Sequence, residues 1–133
     1  MRGSVSLYSH AQNSFPFITQ IQGHNVGELF GWASSISGRK IAVSSVSPIS
    51  KTGGFVQIFD SLNANRQHIL QPSITGYNNE FGYDLNFYND HLIVGAPGES
   101  DLIRNNSGSA YLYHFNENSY VPSLTRKLIA NDR

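Results

Sequence analysis

Apolar residues in this chain come in short runs, and no window places them at the i, i+3, i+4, i+7 spacing of an amphipathic helix. Eight runs stand out, at 5–8, 17–21, 41–46, 55–59, 68–70, 91–94, 110–115 and 124–130. All but 68–70 are bounded on at least one side by Gly, Asn, Ser or Pro. The clearest punctuation is Gly53-Gly54, Gly76, Asn89-Asp90 and the stretch 105–108; these residue types accept turn conformations. Many short strands separated by regular turns predict an all-β sandwich, barrel or propeller.

The pattern also repeats. Glu28-Leu29-Phe30-Gly31-Trp32 returns 51 positions later as Glu80-Phe81-Gly82-Tyr83, with Phe-Gly in register. An apolar run follows each at the same distance, Lys40-Ile41-Ala42-Val43-Ser44 and His91-Leu92-Ile93-Val94-Gly95. A glycine then opens a further run, Gly54-Phe55-Val56-Gln57-Ile58-Phe59 and Gly108-Ser109-Ala110-Tyr111-Leu112-Tyr113, and Gly3-Ser4-Val5-Ser6-Leu7-Tyr8 is a third copy. The three glycines lie 51 and 54 residues apart. A period of about 50 residues with room for four short strands is that of a propeller blade. Each unit then reads as a strand after Phe-Gly, a hairpin, the apolar strand, a loop, the glycine-opened strand and a last strand.

Composition narrows the function. Of 133 residues, 39% are hydrophobic and 12% aromatic, too many for a disordered segment. Nine basic residues balance nine acidic ones, which argues against nucleic acid or an anionic membrane as partner. No apolar stretch approaches the length of a bilayer span. The N-terminus, Met1-Arg2-Gly3-Ser4-Val5-Ser6, lacks the apolar core of a signal peptide. With no cysteine there is neither a disulfide framework nor a thiol nucleophile.

Phe81-Gly82-Tyr83-Asp84-Leu85, then His91-Leu92-Ile93-Val94-Gly95-Ala96-Pro97, then Ser107-Gly108-Ser109-Ala110-Tyr111-Leu112-Tyr113 resembles one full FG-GAP repeat. This is the unit of integrin α-subunit propellers and of many bacterial surface proteins. The earlier unit is degenerate, with Ser44-Ser45-Val46-Ser47-Pro48 in place of Gly-Ala-Pro. The resemblance implies β-propeller blades of four-stranded antiparallel sheets. By the repeat arithmetic, 3–22 supplies the last two strands of one blade, 27–75 a degenerate blade and 78–130 a full one. About two and a half blades do not close a propeller. Residues 127–133 resemble the lead-in to another repeat, so further blades in a longer chain or self-assembly are expected.

The motif residues are read as structural. Gly31 and Gly82 suit a close backbone approach or a bulge. Phe30 and Phe81 are expected to pack between blades. Gly54 and Gly108 open strands, while Gly95-Ala96-Pro97 ends one, since Pro97 cannot extend the ladder.

Calcium is the cofactor the resemblance raises, because many such blades carry an Asp-rich loop in the first hairpin. Here those hairpins read Ser35-Ile36-Ser37-Gly38-Arg39-Lys40 and Phe87-Tyr88-Asn89-Asp90-His91. Two cations and one carboxylate do not provide the oxygen ligands calcium needs, so no cofactor is expected. The remaining oxygen-rich stretch follows Pro97, with Glu99, Asp101 and Asn105, for which a solvated polar loop is the plainer reading. The five histidines show no metal-binding spacing and no Gly-x-Ser-x-Gly elbow occurs, so neither a metal triad nor an enzyme is predicted. Binding is the better reading, since propellers display loops from a rigid scaffold. Trp32 and Tyr83, at equivalent positions, and Arg104, in the long loop after Pro97, are the candidate contact residues. Asn105-Asn106-Ser107 matches a glycosylation sequon, meaningful only in a eukaryotic secretory protein. The resemblance implies an extracellular or cell-surface module for adhesion or protein recognition. A carbohydrate-binding propeller, an enzyme domain (some FG-GAP-like propellers sit in hydrolases) and a purely structural segment of a larger surface protein are the alternatives.

Overall fold

The computed structural model describes residues 2–46, 53–72, 79–100 and 107–129. Ten strands run through them: β1 (Ser4–Tyr8), β2 (Phe17–Gln22), β3 (Phe30–Ser37), β4 (Lys40–Ser45), β5 (Phe55–Asp60), β6 (Arg66–Leu70), β7 (Leu85–Tyr88), β8 (His91–Ala96), β9 (Ser109–His114) and β10 (Ser123–Ile129). No helix occurs among the described residues. The strands form three antiparallel sheets, β1–β2, β3–β4–β5–β6 and β7–β8–β9–β10, and none closes into a barrel. The chain is therefore all-β, an incomplete propeller made of four-stranded blades and a strand pair.

Two strands escape the hydrophobic pattern. β3 alternates buried or half-buried with exposed positions along an edge, and β7 has only four residues. It is the repeat that demands a strand after each Phe-Gly. Both are joined to the next strand by two-residue turns, since Ser37 pairs with Lys40 and Tyr88 with His91. Asn89 takes the positive φ (52°) that such a turn uses.

Alternation along the strands sets the packing. In β4, Ile41 and Val43 join Ile21, Phe30 and Phe59 in one core, while Ala42 joins a second core with Val56, Ile58, Phe81, Leu92, Val94 and Tyr111. The middle sheet is thus covered on both faces, which is why β4 and β5 are buried almost throughout. Phe81 and Tyr111 are fully buried and meet edge-to-face, with ring centroids 5.1 Å apart. Burial of each ring contributes a few kcal/mol.

The joints between sheets repeat with the sequence. A Cβ on Gly3 would lie 1.8 Å from the carbonyl oxygen of Phe30, and one on Gly54 would lie 1.8 Å from that of Phe81. Gly31 and Gly82 follow with φ of 88° and 87°. They press against Val5 and Val56, respectively, each 3.2 Å from the position a Cβ would take. All four pairs of equivalent residues are 51 positions apart. The Phe-Gly turn of one blade therefore seats on the glycine-opened strand of the blade before it. Within the last sheet, Gly82 N–H donates to the Gly95 carbonyl at 2.9 Å, tying Phe-Gly to Gly-Ala-Pro.

A candidate binding cleft between the two four-stranded sheets

The two complete sheets meet along their first strands. Ser35 Oγ on β3 accepts the Phe87 N–H at 3.0 Å and donates to Asn86 Oδ1 at 3.2 Å, so a side chain of one blade satisfies the edge strand of the next. Trp32 Nε1–H donates to the Tyr83 carbonyl at 3.0 Å, and their rings lie 5.6 Å apart. Both side chains are about half exposed. The equivalent positions read from the repeat are thus neighbours across the blade joint.

At the hairpin end of this joint lies a cleft of about 520 Å³. The β3–β4 turn lines it with Ser37, Arg39 and Lys40, and the last sheet lines it with Asp90 and Glu117. Tyr120 and Phe115 line its interior, and Lys40 Nζ lies 5.8 Å from the Phe115 ring centre and 5.7 Å from that of Tyr120. A cation over two aromatic faces joins the sheets.

Asp60, at the end of β5, anchors the same region. Its carboxylate accepts the Leu62 N–H at 2.8 Å, the Tyr120 hydroxyl at 2.7 Å and an Arg39 N–H at 2.5 Å. Its side chain is 5% exposed. The Leu62 amide first, then the Tyr120 hydroxyl and Arg39, hold Asp60 below the ordinary carboxylate pKa despite the opposing effect of burial. Tyr120 belongs to the next sheet's β9–β10 connection, 60 residues away, so this too is a tie between blades.

Glu99 differs from the solvated-loop reading. It is 1% exposed; its Oε2 accepts the Tyr111 hydroxyl at 2.7 Å and its Oε1 pairs with Lys127. Both oxygens are engaged within the protein. The ammonium of Lys127 loses water on burial, but hydrogen bonds to Glu99 and Tyr111 outweigh that loss and raise its pKa. Asp101, Arg104 and Asn105 lie outside the described residues.

A second group was invisible to spacing rules. His91 opens β8, His114 closes β9, and the two are paired across the ladder. Asp90 bridges them, its Oδ1 2.8 Å from His91 Nδ1 and its Oδ2 2.9 Å from His114 Nε2. The signal in the sequence was the turn Asn89-Asp90 directly before a histidine; His114 joins it only through register. These hairpins do not suit calcium. Arg39 occupies the first, and the second presents one carboxylate flanked by imidazoles, against the six to eight oxygens calcium takes.

Sheets of this order, joined at their first strands and presenting turns at their ends, define propeller blades. Residues 65–113 match the family model of the FG-GAP repeat, and the chain carries that repeat there. FG-GAP repeats are β-propeller-like protein-interaction units, generally without catalytic activity. The match begins before β6 and ends within β9. Its frame therefore takes the last strand of one sheet with three of the next. No curated protein matches the chain.

Proposed function

We propose that this chain is a non-catalytic recognition segment of an extracellular or cell-surface β-propeller, holding a protein partner at the cleft between its two complete blades. The observation that carries this reading is the cleft itself. Turns of both sheets line it, with Arg39 and Lys40 contributed by one sheet, Asp90 and Glu117 by the other, and the aromatic side chains of Phe115 and Tyr120 beside them. Opposed charge on a rigid frame is suited to orienting a polar partner surface. A photo-crosslinking residue at Asn118, on the cleft rim, tests it on the full-length protein at the surface of intact cells. One protein adduct is expected, weakened by Glu117→Lys and not formed from Asn63 on the β5–β6 turn. Equal labelling from both positions, or labelling only after permeabilisation, overturns the reading.

A second reading has its own observation. Trp32 and Tyr83 present half-exposed rings side by side, as pyranose-stacking sites do. A glycan array separates the two: saccharide binding abolished by Trp32→Ala favours sugar over protein.

The last sheet is proposed to be covered by another blade, from a longer chain or a second copy. Ile93 on its outer face is 43% exposed, whereas Ala42, its equivalent 51 positions earlier, is 0% exposed beneath the following sheet. Light scattering distinguishes the sources, since only self-assembly raises the solution mass of this chain above 14.7 kDa.

A further inference from the structure

The geometry points to a transition-metal site on the last sheet, formed by Asp90, His91 and His114 and suited to zinc.

The equivalent corner of the middle sheet shows what is particular about this one. Counting back 51 residues, Asp90 corresponds to Arg39 and His91 to Lys40; counting back the 54 residues that separate Gly54 from Gly108, His114 corresponds to Asp60. In the middle sheet Arg39 and Asp60 form an ion pair at 2.5 Å. A guanidinium and an ammonium there repel any metal ion. In the last sheet the carboxylate of Asp90 stands in place of Arg39, and the imidazoles of His91 and His114 stand in place of Lys40 and Asp60. One corner is an ion pair; the other is a set of three metal-binding side chains.

Their placement fits the metal. The candidate ligand atoms all lie within 4.8 Å of one another. The carboxylate-to-nitrogen separations are 2.8 and 2.9 Å. Neighbouring ligands on a tetrahedral zinc, with bonds of about 2.0–2.1 Å, are about 3.3 Å apart. Torsions of the partly exposed carboxylate and rings must open the two short separations by about half an ångström and bring any wider pair, within 4.8 Å at most, to about 3.3 Å. The chain supports the ligands rigidly: His91 and His114 are ladder partners, and the Phe115 N–H donates to the Asp90 carbonyl at 2.8 Å. The side chains are 34–52% exposed, so the ion has access and water can complete its coordination. Two imidazoles and one carboxylate select zinc, nickel or copper over calcium or magnesium.

In the metal-free state the carboxylate accepts an N–H from each ring. Metal entry needs those nitrogens as lone-pair donors. Each neutral ring meets this by moving its proton to the opposite nitrogen, Nε2 in His91 and Nδ1 in His114, so no proton need leave the cluster.

Zinc titration of this chain by calorimetry in a non-chelating buffer tests the site. One ion per chain is expected, with affinity weakened more than about tenfold in His91→Gln, His114→Gln and Asp90→Asn. His68→Gln, on β6, should bind as the wild type does. Long-range nitrogen-detected NMR of the unsubstituted chain should show zinc shifting Nδ1 of His91 and Nε2 of His114. This readout holds even if a variant fails to fold. No saturable binding below about 1 mM zinc, a His114→Gln chain that binds like the wild type, or shifts confined to other histidines overturns the proposal.

Discussion

The carbonyl oxygen of Phe81 lies 1.8 Å from the point where a Cβ on Gly54 would sit. The glycine that opens β5 and the Phe-Gly turn before β7 are thus two halves of one joint. Their copies, Gly3 and Phe30, meet with the same 1.8 Å separation. A methyl group at residue 54 cannot be accommodated without moving backbone. Gly54→Ala should destabilise the chain by about 3 kcal/mol or more, above the usual range for overpacking because the obstacle is a main-chain carbonyl. Chemical denaturation measures this, and a loss under about 1 kcal/mol would show that the blades separate easily here.

The degenerate unit contains a correctable defect. Ser45 is completely buried, and its hydroxyl has no hydrogen-bond partner among the described residues. Its equivalent in the last sheet, 51 positions on, is Ala96, also fully buried. Ser45→Ala removes an unsatisfied hydroxyl and leaves almost the same volume. It should stabilise the protein by about 1 kcal/mol and raise the thermal midpoint. A lower midpoint would mean that the hydroxyl is satisfied in solution.

Glu99 and Lys127 should respond unequally to neutralisation. Lys127→Met leaves a carboxylate in a nearly dry site, still accepting the Tyr111 hydroxyl at 2.7 Å, and should cost about 3 kcal/mol. Glu99→Gln keeps an acceptor for Tyr111 and leaves the unpaired charge on Lys127, whose side chain is 25% exposed against 1% for Glu99, so its cost should be smaller. Urea unfolding of the two variants decides the order. A larger loss in Glu99→Gln would place the stabilisation in the charge pair instead of in the relief of desolvation.

Asp60 makes stability depend on pH. Folding lowers its pKa from the ordinary 3.8, so folding favours the ionised form. Its contribution is complete above about pH 4 and is lost as pH falls through the lowered value. Asp60→Asn should flatten the fall in stability between about pH 4 and 2, followed by denaturation at stepped pH. An unchanged slope would place acid sensitivity elsewhere.

Fold and site differed in how far they could be read from sequence. The blade joints were legible because they are local and repeated. Phe-Gly recurs at fixed distance from a glycine-opened run, and only glycine tolerates the contact at Gly54. β3 and β7 were legible through that repeat alone, as edge strands with too little apolar content to announce themselves. Glu99 was misread as solvated because nothing beside it in sequence signals Tyr111 and Lys127. Those partners come from β9 and β10. Asp60 likewise finds Tyr120 in the next sheet, 60 residues on.

The sequence by itself determined an all-β chain, the period of its blades and the small residues at each joint. These follow from strand alternation, turn chemistry and steric exclusion, all of which act over a few residues or recur in copies. Only the tertiary structure decided which side chains meet across ladders and between sheets. The pairing of His91 with His114 depends on the register of β8 against β9, and the two walls of the cleft depend on how one sheet rests on the next. Such neighbours are set by the packing of whole strands, so residue spacing along the chain carries no record of them.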